Sequence, residues 1–248
     1  MPSQRLDQAL VERELAPSRT RAAALIAAGV VTVDGEVATK AAAKVPPGAA
    51  VVVTAPDPYV SRAAHKLIGA LDAFDATPSG RALDAGASTG GFTQVLLERG
   101  ADLVYAIDVG HGQLHPLVRD DARVVVREGL NLRDLTVADV GGQPVDWLVA
   151  DVSFISLTLL LAPLLAVLAP DGTAVIMVKP QFEVGRGGLD SRGVVREPAL
   201  RTAAIERVLA VAGDLGWDCV RRAASTLPGE YGNTEEFVQL GRRSDPLS

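Results

Sequence analysis

Cysteine occurs once in the 248 residues, at position 219, which excludes a disulfide framework and suits a reducing compartment. Histidine is almost as scarce. His111 and His115 share the stretch GHGQLH with no cysteine or further histidine beside them, too thin a ligand set for zinc, so no metal is expected. An excess of positive charge is also missing. The formal balance is −6, which excludes wholesale coating of nucleic acid and leaves a local basic face open. MPSQRLDQAL has no charged-then-apolar leader, so export is not expected and a cytoplasmic location is. Charge is absent, finally, from the 19 residues 152–170, VSFISLTLLLAPLLAVLAP, which approach bilayer length. Pro163 inside the run and the strand-like TAVIMVK just beyond it predict a buried helix between two central strands, with no membrane span.

What is present is apolar enough, at 48% hydrophobic residues, to bury a substantial core. Residues 5–53 read as short helices and then short strands. In SRTRAAALIAAG, Ser18 is a natural N-cap, Ala22, Leu25 and Ile26 recur at helical spacing, and Gly29 is the stop. VVTVDGEVA gives strand, Asp34-Gly35 turn and strand, and KVPPGAAVVVTAP adds another turn and strand. Pro56-Asp57-Pro58 reads as a linker, which divides the chain into 1–58 and 59–248. Six Lys/Arg meet six Asp/Glu within residues 1–60, so the first domain is neutral, less basic than phosphate binding favours.

From residue 81 strands and helices alternate. RALDA, LVYAIDV, RVVVRE, DWLVADV and TAVIMVKP are strand-like, followed by the helix PALRTAAIERVLAVAGDLG and the strands WDCVRRAAST and EEFVQLGRR. This order predicts an α/β fold with a mostly parallel sheet covered on both faces, its last two strands pairing as an antiparallel edge. DAGASTGGF, 84–92, is the turn between the first strand and its helix. In the dinucleotide fingerprint the second glycine admits the pyrophosphate; here the three positions are Gly86, Ser88 and Gly91, which opposes a dehydrogenase. Asp108 ends the next strand, 22 residues after Gly86, where an acid accepts hydrogen bonds from ribose hydroxyls; alone it fits NAD and S-adenosylmethionine equally.

Four charged residues lie at element ends that such a sheet gathers at its carboxyl edge: Lys66 in SRAAHKLIGAL, Asp151 and Lys179 after strands, and Glu235 at the start of the last strand. A lysine ending a buried strand needs a partner, because desolvating a charge is costly. The segment 183–197, EVGRGGLDSRGVVRE, carries Arg186, Arg192 and Arg196 and reads either as a lid that orders on RNA or as a flexible connection.

Several stretches resemble known families. RLDQALVERELAPSRTRAAALIAAGVVTVDGEVATKAAAKV is similar to the S-four-type RNA-binding module, which implies a small α+β domain presenting Arg5, Arg19 and Arg21 to structured RNA. DAGASTGGF, opened by Asp84, resembles the first motif of S-adenosylmethionine-dependent methyltransferases. That resemblance implies a Rossmann-like methyltransferase fold with an antiparallel last strand and S-adenosylmethionine as cofactor, Asp84 steadying its methionine end. It also implies a cofactor site of Asp84, Gly86, Ala87, Ser88, Gly90, Gly91, Phe92, Asp108, Val109, Asn131, Leu132 and Asp151.

Lys66, Asp151, Lys179 and Glu235 match the Lys-Asp-Lys-Glu constellation of the FtsJ-related ribose 2′-O-methyltransferases. DVSFISL at 151–157, VKPQFE at 178–183 and YVSRAAHKL at 59–67 narrow the resemblance to the TlyA family, over about residues 5 to 240, with Arg62 as a further RNA contact. The resemblance implies 2′-O-methylation of cytidine in 16S and/or 23S ribosomal RNA, with ribosomal subunits as partners. Lys179 would orient and deprotonate the hydroxyl beside the second cation Lys66, Asp151 would orient Lys179, and Glu235 would hold Lys66 or the ribose. One departure stands out. The family's Asn-x-Glu-aromatic becomes GNTEEF, where spacing from Asn233 selects Glu235 and leaves Glu236, on the opposite strand face, as the fallback. The family's hemolysin label finds no support in the apolar segment. The rival expectation is a non-catalytic ribosome-assembly factor that retains a cofactor fold.

Overall fold

The computed structural model describes residues 3–16, 18–54, 58–229 and 231–243, with the backbone alone at Arg186. Chain contacts separate two compact units, Met1–Pro58 and Tyr59–Ser248. The first unit runs β1 (Gln4–Arg5), α1 (Leu6–Glu12), α2 (Arg19–Ala27), β2 (Val31–Val33), β3 (Glu36–Val37), β4 (Lys44–Val45) and β5 (Val51–Val53). Ser18 caps α2 by accepting the Arg21 N–H, and Gly29 follows the helix at φ +71°. Asp34 and Gly35 both hold positive φ, the primed turn that a two-residue hairpin requires. The pairing of β1 with β4 involves two residues from each strand, too few to show any periodicity in the sequence. Leu6, Leu10, Ala22, Ile26 and Val31 form the core. Asp7 is buried beside it, and hydrogen bonds from Arg5 and then Arg19 hold its carboxyl well below the usual carboxylate range.

The second unit runs α3 (Ala63–Phe74), β6 (Gly80–Ala85), α4 (Gly91–Arg99), β7 (Ala101–Asp108), α5 (Pro116–Arg119), β8 (Val124–Glu128), β9 (Val145–Ala150), α6 (Leu161–Ala166), β10 (Leu168–Val178), α7 (Pro198–Asp214), β11 (Trp217–Ala224) and β12 (Glu236–Arg242). Its seven strands stand in the order β11-β12-β10-β9-β6-β7-β8. The strands from β6 to β10 pair in parallel, and β12 is antiparallel to both its neighbours. As the sequence predicts, the last two strands pair as an antiparallel hairpin at the end of the sheet, with β12 one place in and β11 forming the edge. Phe237, Val238 and Leu240 bury β12, whereas β11 carries Asp218, Arg221 and Arg222, which an edge tolerates.

Alternate residues face opposite layers. Leu83, Ile107, Leu148, Ile176 and Val238 pack with residues of α6 and α7. Ala82, Val104, Val149, Val175 and Phe237 pack with residues of α3 and α4. The inner face of α3 carries Ala64, Leu67, Ala70, Leu71 and Phe74, and Lys66 is buried on it too.

The apolar run is a shorter helix than expected. Only Leu161–Ala166 is α-helical, a 3-10 turn at Leu157–Leu159 precedes it, and Leu168 already begins β10. Tertiary bonds override the hydrophobic pattern here: the Glu183 carboxylate accepts from Leu157 N–H and the Ser156 hydroxyl, pulling 152–156 out as a loop. Among the described residues no helix is long and apolar enough to cross a membrane. Phe237 is wholly buried with its ring centroid 6.1 Å from that of Phe92. Phe237→Ala is expected to cost about 3–5 kcal/mol of stability, read as a lower urea midpoint at unchanged slope.

Candidate active site

Parallel strands end on one edge of the sheet, and antiparallel β12 begins on that same edge. Gly86, Asp108, Asp151, Lys179 and Glu235 therefore arrive together. Val178 is registered with Glu236 and belongs to the face covered by α6 and α7. One step on, Lys179 stands opposite Glu235, and both point to the α3 side.

On that side Lys66 and Glu235 are only 6% and 3% exposed and meet at 2.6 Å, Nζ to Oε2. Lys179 lies 2.5 Å from Asp151 Oδ1 and donates to Ser153 Oγ at 2.8 Å. The Asp151 contact is ionic without the direction of a hydrogen bond, so Ser153 receives the directed bond. Gln181 Nε2 donates to Glu235 Oε1 at 3.1 Å. Glu236 takes the other face, where Arg222 joins it to Glu206 of α7. The lysines and carboxylates pair as the sequence suggested, Lys179 with Asp151 and Lys66 with Glu235, and an uncompensated ammonium in so dry a place would be costly.

Two clefts meet at the Lys179–Asp151 pair, and Lys66 and Glu235 line the larger of them. One, of about 490 Å³, runs past Gly86, Ser88, Asp108, Val109, Asn131 and Leu132 to Asp151. It holds two carboxylates, and no lysine or arginine is among its lining residues. The other, of about 680 Å³, is lined by Arg62, Lys66, Lys179, Glu235 and three aromatic rings, Phe154, Phe182 and Tyr231. Ser153 and Phe154 line both. A narrow pocket with Ala87, Gly91 and Phe92 on its wall joins the glycine turn to Lys179. Gly86 sits at φ +86°, and a Cβ there would come within 2.8 Å of the Asp151 carbonyl, so the turn passes under that loop only as glycine. Asp108 accepts from Ser88 N–H at 2.9 Å and from Gly110 N–H at 2.7 Å, fixing the turn's exit.

Gly90 lines none of these clefts and precedes α4 at φ +94°. Arg62 donates to the Pro228 carbonyl beside the larger cleft. Arg5 and Arg19 both engage Asp7 while their side chains stay 40% and 56% exposed, and Arg21 is exposed on the same helix as Arg19. His115 caps α5 through Nδ1. From Asp190 onward the 183–197 segment is a bonded loop. Asp190 gathers the Arg192 and Val194 N–H groups and Arg196, and buried Asn233 accepts from Val195 N–H and donates to the Gly193 carbonyl.

Ser153, Phe154, Gln181, Phe182 and Tyr231 line the clefts without having been singled out in sequence. Phe154 lies in an uncharged run that reads as core, yet it is 91% exposed at φ +66°, its ring centroid 5.3 Å from that of Phe182.

A family model for FtsJ-like methyltransferases matches residues 59–242 and a model for the S4 domain matches residues 4–51, so fold and site define a methyltransferase behind an S4 domain. The chain is 50% identical to the 16S/23S rRNA (cytidine-2′-O)-methyltransferase TlyA of Mycobacterium tuberculosis, over 97% of this chain and 91% of that protein. A solved Streptococcus thermophilus protein bearing a hemolysin name matches at 37% identity and TM-score 0.76, over 99% of this chain and 90% of that one. A Burkholderia thailandensis N-methyltransferase, solved with S-adenosylhomocysteine, shares the fold at 19% identity and TM-score 0.52, over 74% and 78% of the two chains. The chain belongs to the TlyA family of FtsJ-like methyltransferases.

Asp84 departs from its expected place. It has no exposed surface and lines none of the three clefts; Oδ2 accepts from Thr93 Oγ1 at 2.6 Å, tying β6 to α4, and Oδ1 has no partner among the described residues. Burial pushes its carboxyl up to about 7 against the opposing bond from Thr93, with the like charge of Asp151 adding to the rise. An acid whose pKa rises on folding favours the fold in its neutral form. That contribution is full below its ordinary 3.8 and drains away as pH climbs to about 7. Across this window the protein is expected to lose up to about 4 kcal/mol relative to Asp84→Asn. Urea midpoints measured against pH check this, and parallel profiles for the two proteins would contradict it.

Proposed function

We propose that the chain transfers the methyl group of S-adenosylmethionine to the ribose 2′-hydroxyl of a cytidine in ribosomal RNA, residues 59–248 forming the catalytic domain and 1–58 an RNA-binding domain. The observation that carries this reading is the pair of buried lysine–carboxylate contacts, Lys179–Asp151 where the two clefts meet and Lys66–Glu235 on the wall of the larger one. The smaller cleft suits a cofactor that is itself a cation. Its carboxylates attract positive charge, and without a lysine or arginine it offers little to a pyrophosphate. Gly86, Ala87, Ser88, Gly91 and Phe92 would form its floor, Asp108 would face the ribose, and Val109, Asn131 and Leu132 would flank the adenine. When bound, this cofactor supplies a methyl group already activated on a positive sulfur.

The residues of the chain have two tasks, alignment and proton removal. Lys179 is held on one side by Asp151 and Ser153 and presents its remaining valence to the hydroxyl. In its neutral form it takes the hydroxyl proton as the oxygen–methyl bond forms and the carbon–sulfur bond breaks, and Asp151 meets the resulting ammonium charge. Lys66 and Glu235 hold the sugar from the other side, and fixing oxygen and methyl in line supplies much of the acceleration. Phe154, Phe182 and Tyr231 offer faces to an unstacked base, and Arg62 and Arg192 offer charge to its phosphates. Arg5, Arg19 and Arg21 contact structured RNA from the S4 domain. The activity in the name of the Mycobacterium tuberculosis relative supports cytidine and ribosomal RNA as the target. Such a substrate, with Cys219 as a free thiol, supports a reducing cytoplasm as the place of the reaction.

The test incubates the protein with labelled S-adenosylmethionine and ribosomal subunits. Label enters the RNA and blocks alkaline cleavage at a cytidine, as a 2′-O-methyl group does. Lys179→Ala is expected to lower the rate at least about 100-fold at near-normal cofactor affinity, and Glu236→Gln to stay within about twofold of the parent. Label without the block would mean base methylation and would overturn the reading.

A further inference from the structure

Asp7 stands in the first turn of α1 and is 4% exposed. Its carboxylate holds two guanidinium groups from two other elements. Arg5, at the end of β1, donates through Nε to Oδ1 at 2.9 Å and through Nη2 to Oδ2 at 3.0 Å. Arg19, the first residue of α2, reaches Oδ2 from Nη2 at 2.8 Å and from Nε at 3.2 Å. The acid is buried and the cations are not, since their side chains keep 40% and 56% of their surface. Nη1 of each arginine meets no acceptor among the described residues. The first turn of α2 carries Arg19 and Arg21 and no acid. Cations at that end oppose the helix dipole, so stability alone does not account for them. Of the other cations in this unit, Arg13 is engaged by the Ala49 carbonyl.

We propose that Asp7 is a positioning residue, which sets Arg5 and Arg19 at a fixed spacing so that both engage phosphates of a structured RNA. The inference rests on the reading above, that this unit binds RNA through these arginines. A free surface arginine loses rotamer freedom when it grips a phosphate. With Nε and Nη2 already anchored on Asp7, that loss occurs on folding, and the unused Nη1 groups are left for the phosphates. Residues 1–60 hold as many acids as bases, so what this unit offers a polyanion is arrangement rather than net charge. Asp7 opposes RNA by its charge and assists it by geometry. The two effects have opposite signs when the charge is removed.

The experiment titrates the full chain against ribosomal subunits at several salt concentrations. Asp7→Asn keeps the shape of the side chain and removes its charge, and the amide oxygen can no longer hold both forks. Its affinity is expected to fall about 10-fold, although the protein has become more positive. The slope of log Kd against log salt is expected to drop by about one. KM for subunits rises with the loss of affinity while kcat stays within about twofold. Glu36→Gln, which removes the same charge from the exposed strand β3, is expected to bind within about twofold of the parent. Arg5→Lys combined with Arg19→Lys keeps both charges and loses the forks, and should also bind about 10-fold more weakly. Both arginines are partly exposed, so this protein tests the proposal even where Asp7→Asn loosens the fold. An Asp7→Asn protein that binds as tightly as the parent, or more tightly, would overturn the proposal. So would a double-lysine protein that binds like the parent, since orientation would then not matter. Replacing both arginines by alanine separates the two levels. Undiminished binding there sinks the RNA-binding reading of this face and the inference with it, whereas weakened binding there beside full binding in Asp7→Asn sinks the inference alone.

Discussion

Two ammonium groups sit where water barely reaches, and each is tolerable only because a carboxylate meets it. Lys66 comes from the helix ahead of the first strand of the catalytic unit and Glu235 from the approach to the last strand, 169 residues later. Asp151 and Lys179 arrive from neighbouring parallel strands. Neither pair forms unless the strands between them are in register. A one-residue slip of β12 would send Glu235 to the α7 side and leave Lys66 buried and unmatched. The electrostatics of the site thus enforce the topology that builds it, and much of the sheet's order follows from satisfying those two charges.

The two clefts differ in charge. The smaller has carboxylates and apolar walls, which suit the methyl donor proposed for it. The larger has arginines and exposed rings, which suit the proposed RNA substrate. Ser153 and Phe154 stand at the seam. Ser153 receives the directed hydrogen bond of Lys179, and Phe154 projects into solvent from a strained backbone position. The loop after β9 thereby links one cleft to the other, with Glu183 anchoring its far end.

What the sequence disclosed, it disclosed through local signals. Ser18 as a cap, Asp34-Gly35 as a hairpin turn, and the glycine turn after RALDA each follow from the backbone needs of a few adjacent residues. Asp151, Lys179 and Glu235 were legible because charges at the ends of apolar strands are conspicuous, and Lys66, inside a helix, because the four together resemble a known constellation. What stayed hidden depends on distant partners. The apolar run 152–170 carries no mark that Glu183 will draw out its first residues. Phe154 reads as core by composition and emerges on the surface through the same loop. Asp84 looks like a residue of the cofactor cleft until its burial under the glycine turn and its bond to Thr93 are seen. The place of β12 could not be read from hairpin logic, since adjacency in sequence says nothing about which of two strands takes the edge.

The insertion of β12 between β10 and β11 also sets an order in time. On a chain made from its amino terminus, the cofactor cleft can be complete while the seventh strand is still unmade. Lys66 then has no counter-charge, and the wall that carries Gln181 has nothing to brace it. The segment that brings β12 into the sheet also brings Glu235 to Lys66, so the last strand of the chain to be made is the one that completes the buried ion pair.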